Sequence, residues 1–136
     1  MTALNQVALQ VQQHLDVDRL YRAACEALRR FGVLASVYLV AEDGWLHHVY
    51  TAMDDALLAD YVQHFEGPID FAVPLSALPG ERIPNGGKVF DAQVIRDIMR
   101  NASLDTHPLV GWMLAHMRSG RMLMAALTQN DEAIGA

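Results

Sequence analysis

The sequence predicts an α+β fold in which helices pack on the faces of a central antiparallel sheet. Apolar residues recur at helical spacing through the first 32 residues, and two β-branched and aromatic runs then flank an Asp-Gly turn. Further helical stretches separate the later extended runs. Because strands joined by short turns pair antiparallel, and amphipathic helices bury their apolar stripe, these observations favour helices on a hairpin-built sheet.

Two helices are predicted before residue 32. The first is predicted over roughly residues 2–14, because Leu4, Val7, Ala8, Val11 and Leu15 recur at helical spacing as an apolar stripe. Asp16 is the predicted N-cap of the second helix, and Gly32 ends it. One face of this second helix is predicted to carry Val17, Leu20, Tyr21, Ala24, Leu28 and Phe31.

The middle of the chain predicts a hairpin, a helix and an interrupted strand. Residues 35–40 and 45–51 flank Glu42-Asp43-Gly44, a sequence typical of a tight hairpin turn. Asp54 and Asp55 are expected to cap a short helix that ends before Gly67-Pro68. Residues 69–78 read as a strand that Pro74 restricts to a sheet edge or a bulge. Residues 79–87, with two Pro and three Gly, predict a surface loop.

The last third predicts two helices and a final hairpin. A short extended piece at residues 88–90 precedes a helix capped by Asp91, and Thr106-His107-Pro108 begins the next helix. Gly120 ends that helix before a strand at residues 121–128. Residues 133–136 barely reach the roughly five residues that a useful strand needs. We therefore expect residues 1–136 to be a single domain that is a piece of a longer protein, with its final strand incomplete.

Composition restricts the classes of function. A net charge of −6 with a pI near 5.3 disfavours nucleic-acid binding, which needs clustered Lys and Arg. No run approaches the ~18 apolar residues of a membrane span, so no direct membrane insertion is expected. A single cysteine, Cys25, and the lack of a signal segment before the first helix predict a cytoplasmic location.

The order of elements and several local sequences resemble the GAF domain, a sensory domain of bacterial signalling proteins. The resemblance rests on the helix 15–31 leading into strand 35–40, on Glu42-Asp43-Gly44, on the Gly-rich segment before residues 88–91, and on residues 118–127 followed by Ala133-Ile134-Gly135. Ala126 stands where the family commonly has Pro, and the family's final helix is missing. The resemblance implies a GAF-like (profilin-like) fold, a pocket roofed by the helices and loops between Thr51 and Met117, and a dimer interface or signal relay built from terminal helices.

Catalytic and metal chemistry is not expected. His47 and His48 are neighbours on a strand, so their side chains leave opposite faces and cannot hold one ion, and His107 and His116 have no companion ligands at a recognisable spacing. Cys25 lies near an apolar stripe and is interpreted as a packing residue. The Cys-His pair of bilin-binding GAF proteins, the cysteine set of methionine sulfoxide reductases and the Asn-Lys-Phe-Asp-Glu signature of cyclic-nucleotide binders are lacking. No nucleophile and base, paired carboxylates or phosphate loop can be assembled.

A small-molecule pocket is the sharper hypothesis for the aromatic residues and the seven methionines, with core packing as the alternative. Flexible thioethers and aromatic rings with a few polar groups are the usual lining of small-ligand sites. The residues predicted to surround this cavity are Tyr50, Phe71, Phe90, Met99, Trp112 and His116. The ligand and any cofactor stay unknown.

Two functions follow as expectations. The first is a non-enzymatic GAF-like regulatory domain that senses a small molecule for an output domain of the parent chain, such as a histidine kinase or a diguanylate cyclase. The second is a ligand-free structural domain for dimerisation or signal relay. In both cases a homodimer through the N-terminal helix is expected, with the stripe of Leu4, Val7, Val11 and Leu15 pairing with its copy.

Overall fold

The computed structural model describes residues 19–32, 34–117 and 120–136, and it confirms the mixed α+β class. In this part of the chain four α-helices accompany a five-stranded antiparallel sheet and a two-stranded sheet. In chain order the elements are α1 (19–30), β1 (Ala35–Val40), β2 (Trp45–Ala52), α2 (Asp55–His64), β3 (Ala72–Pro74), β4 (Gly87–Asp91), α3 (Ala92–Asn101), α4 (Pro108–Ala115), β5 (Arg121–Ala125), β6 (Leu127–Gln129) and β7 (Glu132–Gly135). The predicted helix at residues 2–14, with its proposed dimer stripe, and the start of the second helix lie outside the described residues.

The five-stranded sheet has the order β3-β2-β1-β7-β6, and β4 pairs with β5 in the smaller sheet. The chain divides into two compact units. The described residues of the first unit are 19–32, 34–37 and 49–68. Those of the second unit are 38–48, 69–117 and 120–136. The boundaries between the units fall inside β1 and β2.

The predicted hairpin of β1 and β2 is confirmed. Its turn closes through the Ala41 N–H, which donates to the Trp45 carbonyl oxygen at 3.0 Å, and through the Gly44 N–H, which donates to the Ala41 carbonyl oxygen at 3.0 Å. Gly44 has φ of 78°, a left-handed conformation that side chains disfavour. The Asp-Gly pair is therefore the local reason that the hairpin turns at this point.

The predicted single strand at residues 121–128 is wrong, because the chain divides at Ala126 into two strands of different sheets. β5 pairs with β4 over its whole length, whereas β6 pairs with β7. The short segment predicted as half a strand forms β7, which lies between β1 and β6. There the N–H of Tyr38 donates to the Ala136 carbonyl oxygen at 2.7 Å, and the N–H of Ala136 donates to the Tyr38 carbonyl oxygen at 2.9 Å.

Carboxylate capping begins two of the later helices as predicted. The Asp54 side chain accepts from the Leu57 N–H at 2.7 Å at the start of α2, and Asp91 accepts from the Val94 N–H at 2.9 Å at the start of α3. At α4 the N-cap is His107, whose Nδ1 accepts from the Leu109 N–H at 3.1 Å. Each cap satisfies a backbone donor that the first helical turn would leave free.

The segment around Pro74 is shorter as a strand than predicted, although its edge position is confirmed. Within residues 69–78 only β3 forms a strand, and it pairs with β2 at the edge of the sheet. Two 3-10 turns follow, Leu75–Ala77 and Pro79–Glu81. The predicted surface loop at residues 79–87 contains the second of these turns, and it is not wholly on the surface because Ile83 is buried.

Most residues of the apolar stripe predicted for α1 are exposed to solvent and do not pack against the protein. Cys25 is buried, as predicted, and Tyr21 is half-buried, but Leu20, Leu28 and Phe31 are exposed. Helical spacing identifies an apolar face without saying what covers it. Within the described residues no helix has the length and apolar character that crossing a membrane requires.

Candidate functional site

The first unit contains an open hollow of about 280 Å³. Three elements of that unit build it: the second half of α1, the end of β2 with the residue after it, and the first turns of α2. Its lining residues are Glu26, Arg29, Tyr50, Thr51, Ala52, Met53, Asp55 and Leu58. The hollow thus combines two carboxylates, a guanidinium and two hydroxyl groups with apolar side chains.

The Glu26 carboxylate is the centre of a hydrogen-bond network in this hollow. The Tyr50 hydroxyl donates to Glu26 Oε1 at 2.5 Å, and the Arg29 Nε donates to Glu26 Oε2 at 2.7 Å. Both carboxylate oxygens therefore have a partner, and the bond from Tyr50 joins α1 to β2, whereas the bond from Arg29 lies within α1. Charge-assisted hydrogen bonds of this length are among the stronger ones in proteins.

These contacts favour the ordinary charge states of the three groups at neutral pH. The hydrogen bond from Tyr50, and then the one from Arg29, hold the pKa of Glu26 below its usual value. The same carboxylate raises the pKa of Tyr50 and of Arg29 through its hydrogen bonds. At neutral pH Glu26 is therefore ionised, Tyr50 is protonated and Arg29 carries its charge.

Two further contacts hold the walls of the hollow. The Arg22 guanidinium lies 4.9 Å from the centroid of the Tyr50 ring, within the range of a cation–π interaction. The Thr51 hydroxyl lies 2.7 Å from the Ser36 hydroxyl, which links β2 to β1. Tyr50 is thus held at its ring face and at its hydroxyl group.

Cys25 lies in the same helix as Glu26 but contributes packing. It is buried, and burial raises the pKa of its thiol, with a smaller contribution from the charge of Glu26. Nucleophilic attack requires the thiolate, which this environment disfavours. The hollow therefore has no activated nucleophile from this cysteine.

The lining of the hollow combines opposite charges with apolar surface. Arg29 and Asp55 line it with opposite charges, and the charge of Asp55 contributes to the raised pKa of Arg29. Ala52, at the end of β2, and Met53, the residue after it, are buried lining residues, and Leu58 adds apolar surface from α2. A few placed polar groups among apolar ones are typical of small-ligand sites.

The predicted site residues fall in two different places. Tyr50 lines the hollow of the first unit, and the other five belong to the second unit. Phe71 and Phe90 are core residues, exposed by 5% and 2%, and the Phe71 ring packs edge-on against His107 with 5.6 Å between ring centroids. Met99 is half-buried on α3.

Trp112 and His116 are the two predicted residues that the structure brings together. Their ring centroids are 4.6 Å apart, and the His116 Nδ1 lies 2.7 Å from the Trp112 carbonyl oxygen. Trp112 is half-buried and His116 is exposed. These contacts lie within one turn of α4, so they follow from helical spacing.

Sequence reasoning missed Glu26, Arg29 and Asp55 as lining residues. Glu26 and Arg29 are three residues apart, a spacing that predicts a helical ion pair. The sequence carries no signal that this pair faces a hollow, because ion pairs of this spacing are common on solvated helix faces. Asp55 was predicted only as a helix-capping residue.

The described residues contain no group of three or more His, Cys, Asp or Glu side chains that could hold a metal ion. His47 and His48 contact different neighbours, as strand alternation predicts. The His47 Nε2 lies 2.8 Å from Asp43 Oδ2, whereas the His48 ring packs edge-on against Tyr38 at 5.5 Å.

No protein-family model, no curated protein and no solved structure matches this chain.

Proposed function

We propose that this chain is a regulatory domain that senses a small molecule, and that the hollow of the first unit is its binding site. The observation that carries the proposal is the network in which Glu26 accepts from both Tyr50 and Arg29 beside an open, mixed polar and apolar lining. A network whose members hold one another in place is already organised for binding, which lowers the entropy lost when a ligand enters.

The GAF resemblance supports the same class of function. It implies an α+β fold with an antiparallel sheet, and the chain has both of these coarser features. The more specific assignment, a GAF-like sensory domain of a cytoplasmic bacterial signalling protein such as a histidine kinase or a diguanylate cyclase, is part of the proposal. The domain itself carries no catalysis in this assignment, and an attached output domain does the chemistry.

Sensing would act through α1, which supplies Glu26 and Arg29 to the hollow. A ligand carboxylate or other acceptor that binds Arg29 competes with Glu26 and Asp55 for the same guanidinium. The ligand then favours one arrangement of α1 over another. The populations of these two arrangements shift by an amount set by the difference in the ligand's affinity for them.

A thermal-shift screen tests the proposal. The probes are free amino acids, short dicarboxylic acids and aromatic acids, because these carry the charge and size that suit the hollow. A probe at about 100 times its Kd stabilises the folded protein by about 2.7 kcal/mol, a shift of several degrees in Tm. We expect at least one probe to shift Tm in a concentration-dependent way.

The variant Arg29→Gln identifies the site, because it removes the positive charge that lines the hollow. The matched control is Arg100→Gln, which removes an exposed arginine of α3 in the second unit that pairs with Asp97 at 3.6 Å. We expect Arg29→Gln to abolish the shift and Arg100→Gln to retain it. A panel with no active probe, or a shift that Arg29→Gln leaves intact, would reject this site.

The second candidate function, a ligand-free dimerisation or signal-relay domain, is favoured by one observation. Phe71 and Phe90, which were expected to line a cavity, are packed in the core of the second unit. Side chains that fill a space favour a scaffold over a sensor. A stable dimer together with no active probe would support this second candidate.

A further inference from the structure

α1 exposes most of its apolar residues to solvent, apart from Cys25 and Tyr21, and two of its charged residues line the hollow. Leu20 is 65% exposed, Leu28 47% and Phe31 86%, while Glu26 and Arg29 line the hollow. At about 100° per residue the exposed apolar residues of α1 share an arc of about 140°. They are Leu20, Ala23, Ala24, Ala27 and Leu28, and the exposed Phe31 directly follows the helix.

α2 in the same unit also has an exposed apolar face. Leu58 and Val62 are four residues apart, so they lie on one side of the helix, and they are 47% and 62% exposed. Asp55 is exposed in the first turn of the helix, and Glu66 is exposed just after its end. The apolar face of α2 therefore has acidic residues near both ends.

The charges of the two helices are opposite. Residues 19–30 contain four arginines and one glutamate, and the chain has no Lys or Arg from residue 31 to residue 81. Arg19 and Arg30 are exposed beside the apolar arc of α1. The first unit thus carries a basic apolar face on α1 and an acidic apolar face on α2.

We propose that a second copy of this chain covers both faces, with α1 of each copy packed on α2 of the other. A two-fold axis makes the two contacts identical, so each copy offers one basic and one acidic helix. Pairing α1 with α1 would instead bring Arg19 and Arg30 towards the same charges on the partner. Opposite charges around an apolar centre favour the crossed arrangement.

The size of the helices also favours a contact made by both. The described part of α1 has twelve residues and is roughly 18 Å long, so one of its faces is smaller than the ~800 Å² that each partner of a stable dimer buries. α1 and α2 of one copy are neighbours, since both line the hollow. Together they offer a larger surface, and we expect a dimer of micromolar affinity that weakens as salt increases.

Sedimentation equilibrium from low to high micromolar concentration tests the apolar part of the contact. We expect a monomer–dimer equilibrium for the wild-type chain, and Leu28→Glu to raise the dissociation constant by at least ~10-fold. The matched control is Leu123→Glu, which places the same charge on an exposed leucine of β5 in the second unit. Circular dichroism checks that both variants stay folded. A wild-type monomer at all concentrations, or equal dimerisation of the two variants, would overturn the proposal.

Charge reversal tests the crossed pairing itself. One variant carries Arg19→Glu and Arg30→Glu on α1, and the other carries Ala59→Arg and Glu66→Arg on and after α2. Each variant alone sets like charges against each other in both contacts, whereas a mixed dimer restores opposite charges in both. We expect each variant to be mainly monomeric and the mixture to form a heterodimer in low salt. Dimers of each variant alone, with no preference for the mixture, would contradict the pairing. None of these readouts depends on a ligand, so their failure leaves the proposed sensing function to its own test.

Discussion

The substitution Gly135→Ala should destabilise the second unit strongly, because β7 passes very close to β1 at this residue. Gly135 is buried and is the register partner of Leu39. A Cβ at this position would collide with the Tyr38 carbonyl oxygen and would lie 3.0 Å from Leu39 Cδ2 and 3.2 Å from Leu39 Cα. Two of these three atoms belong to the backbone, so a side-chain rotation cannot relieve the collision.

The magnitude follows from what has to move. Separating β7 from β1 weakens the two hydrogen bonds between Tyr38 and Ala136, of 2.7 and 2.9 Å, at about 1 kcal/mol each. Strain from the added methyl group contributes on the order of 1–3 kcal/mol. We expect a loss of about 3 kcal/mol in the free energy of unfolding and a fall in Tm of about 10 °C.

Gly87→Ala is the matched control, since Gly87 is also a strand glycine whose φ is not in the left-handed region. Its Cβ would meet only Leu123 Cδ1 at 3.2 Å, the end of an exposed side chain that can rotate away. Alanine also reduces the conformational entropy of the unfolded chain, so the change should stay within about 1 kcal/mol of the wild type. Urea unfolding of both variants, followed by circular dichroism, measures the difference. If Gly135→Ala unfolds within about 0.5 kcal/mol of Gly87→Ala, the placement of β7 against β1 is wrong.

Two further predictions concern α2 and the β1–β2 hairpin. Asp54→Ala removes the acceptor of the Leu57 N–H and should cost about 1 kcal/mol of stability in urea unfolding, while Asp54→Asn should retain most of it; equal losses would argue against capping. Burial lowers the pKa of His48, so the unfolded chain takes up its proton before the folded chain does, and stability should fall as pH drops below about 6.5. His48→Gln should flatten this dependence between pH 7.5 and 5.5, and an unchanged slope would show that His48 is not its source.

Much of the fold could be predicted because local signals and tertiary contacts agree. Asp-Gly at the β1–β2 turn, Asp54 and Asp91 as caps, and Pro74 at a sheet edge each act through the backbone of nearby residues. The division of residues 121–128 at Ala126 could not be predicted in this way. The apolar pattern continues through Ala126, and only pairing with distant strands decides that β5 joins β4 while β6 joins β7.

The candidate site was predicted less well, for a related physical reason. Tyr50 was expected to line a pocket and does line the hollow, but its partner Glu26 is 24 residues earlier on another element. The sequence pattern gives the angular positions of Leu28, Phe31 and Glu26 around α1 without saying which of them meets the sheet. Phe90 was a candidate for a cavity wall because it is aromatic. Aromatic side chains are equally common in a packed core, and Phe90 lies there.

α1 takes part in both proposals, and this predicts a thermodynamic link between them. Its charged side supplies Glu26 and Arg29 to the hollow, and its opposite side carries the exposed Leu28 and Phe31. If a ligand alters the position of α1, it alters the dimer affinity, and dimerisation must change the ligand affinity by the same factor. Titration of an active probe into wild-type protein and into the Leu28→Glu variant measures that factor, and sedimentation of the wild type with and without the probe measures it independently. Equal factors in the two experiments would support coupling through α1, and a probe affinity that is the same in monomer and dimer would show that binding and assembly are independent.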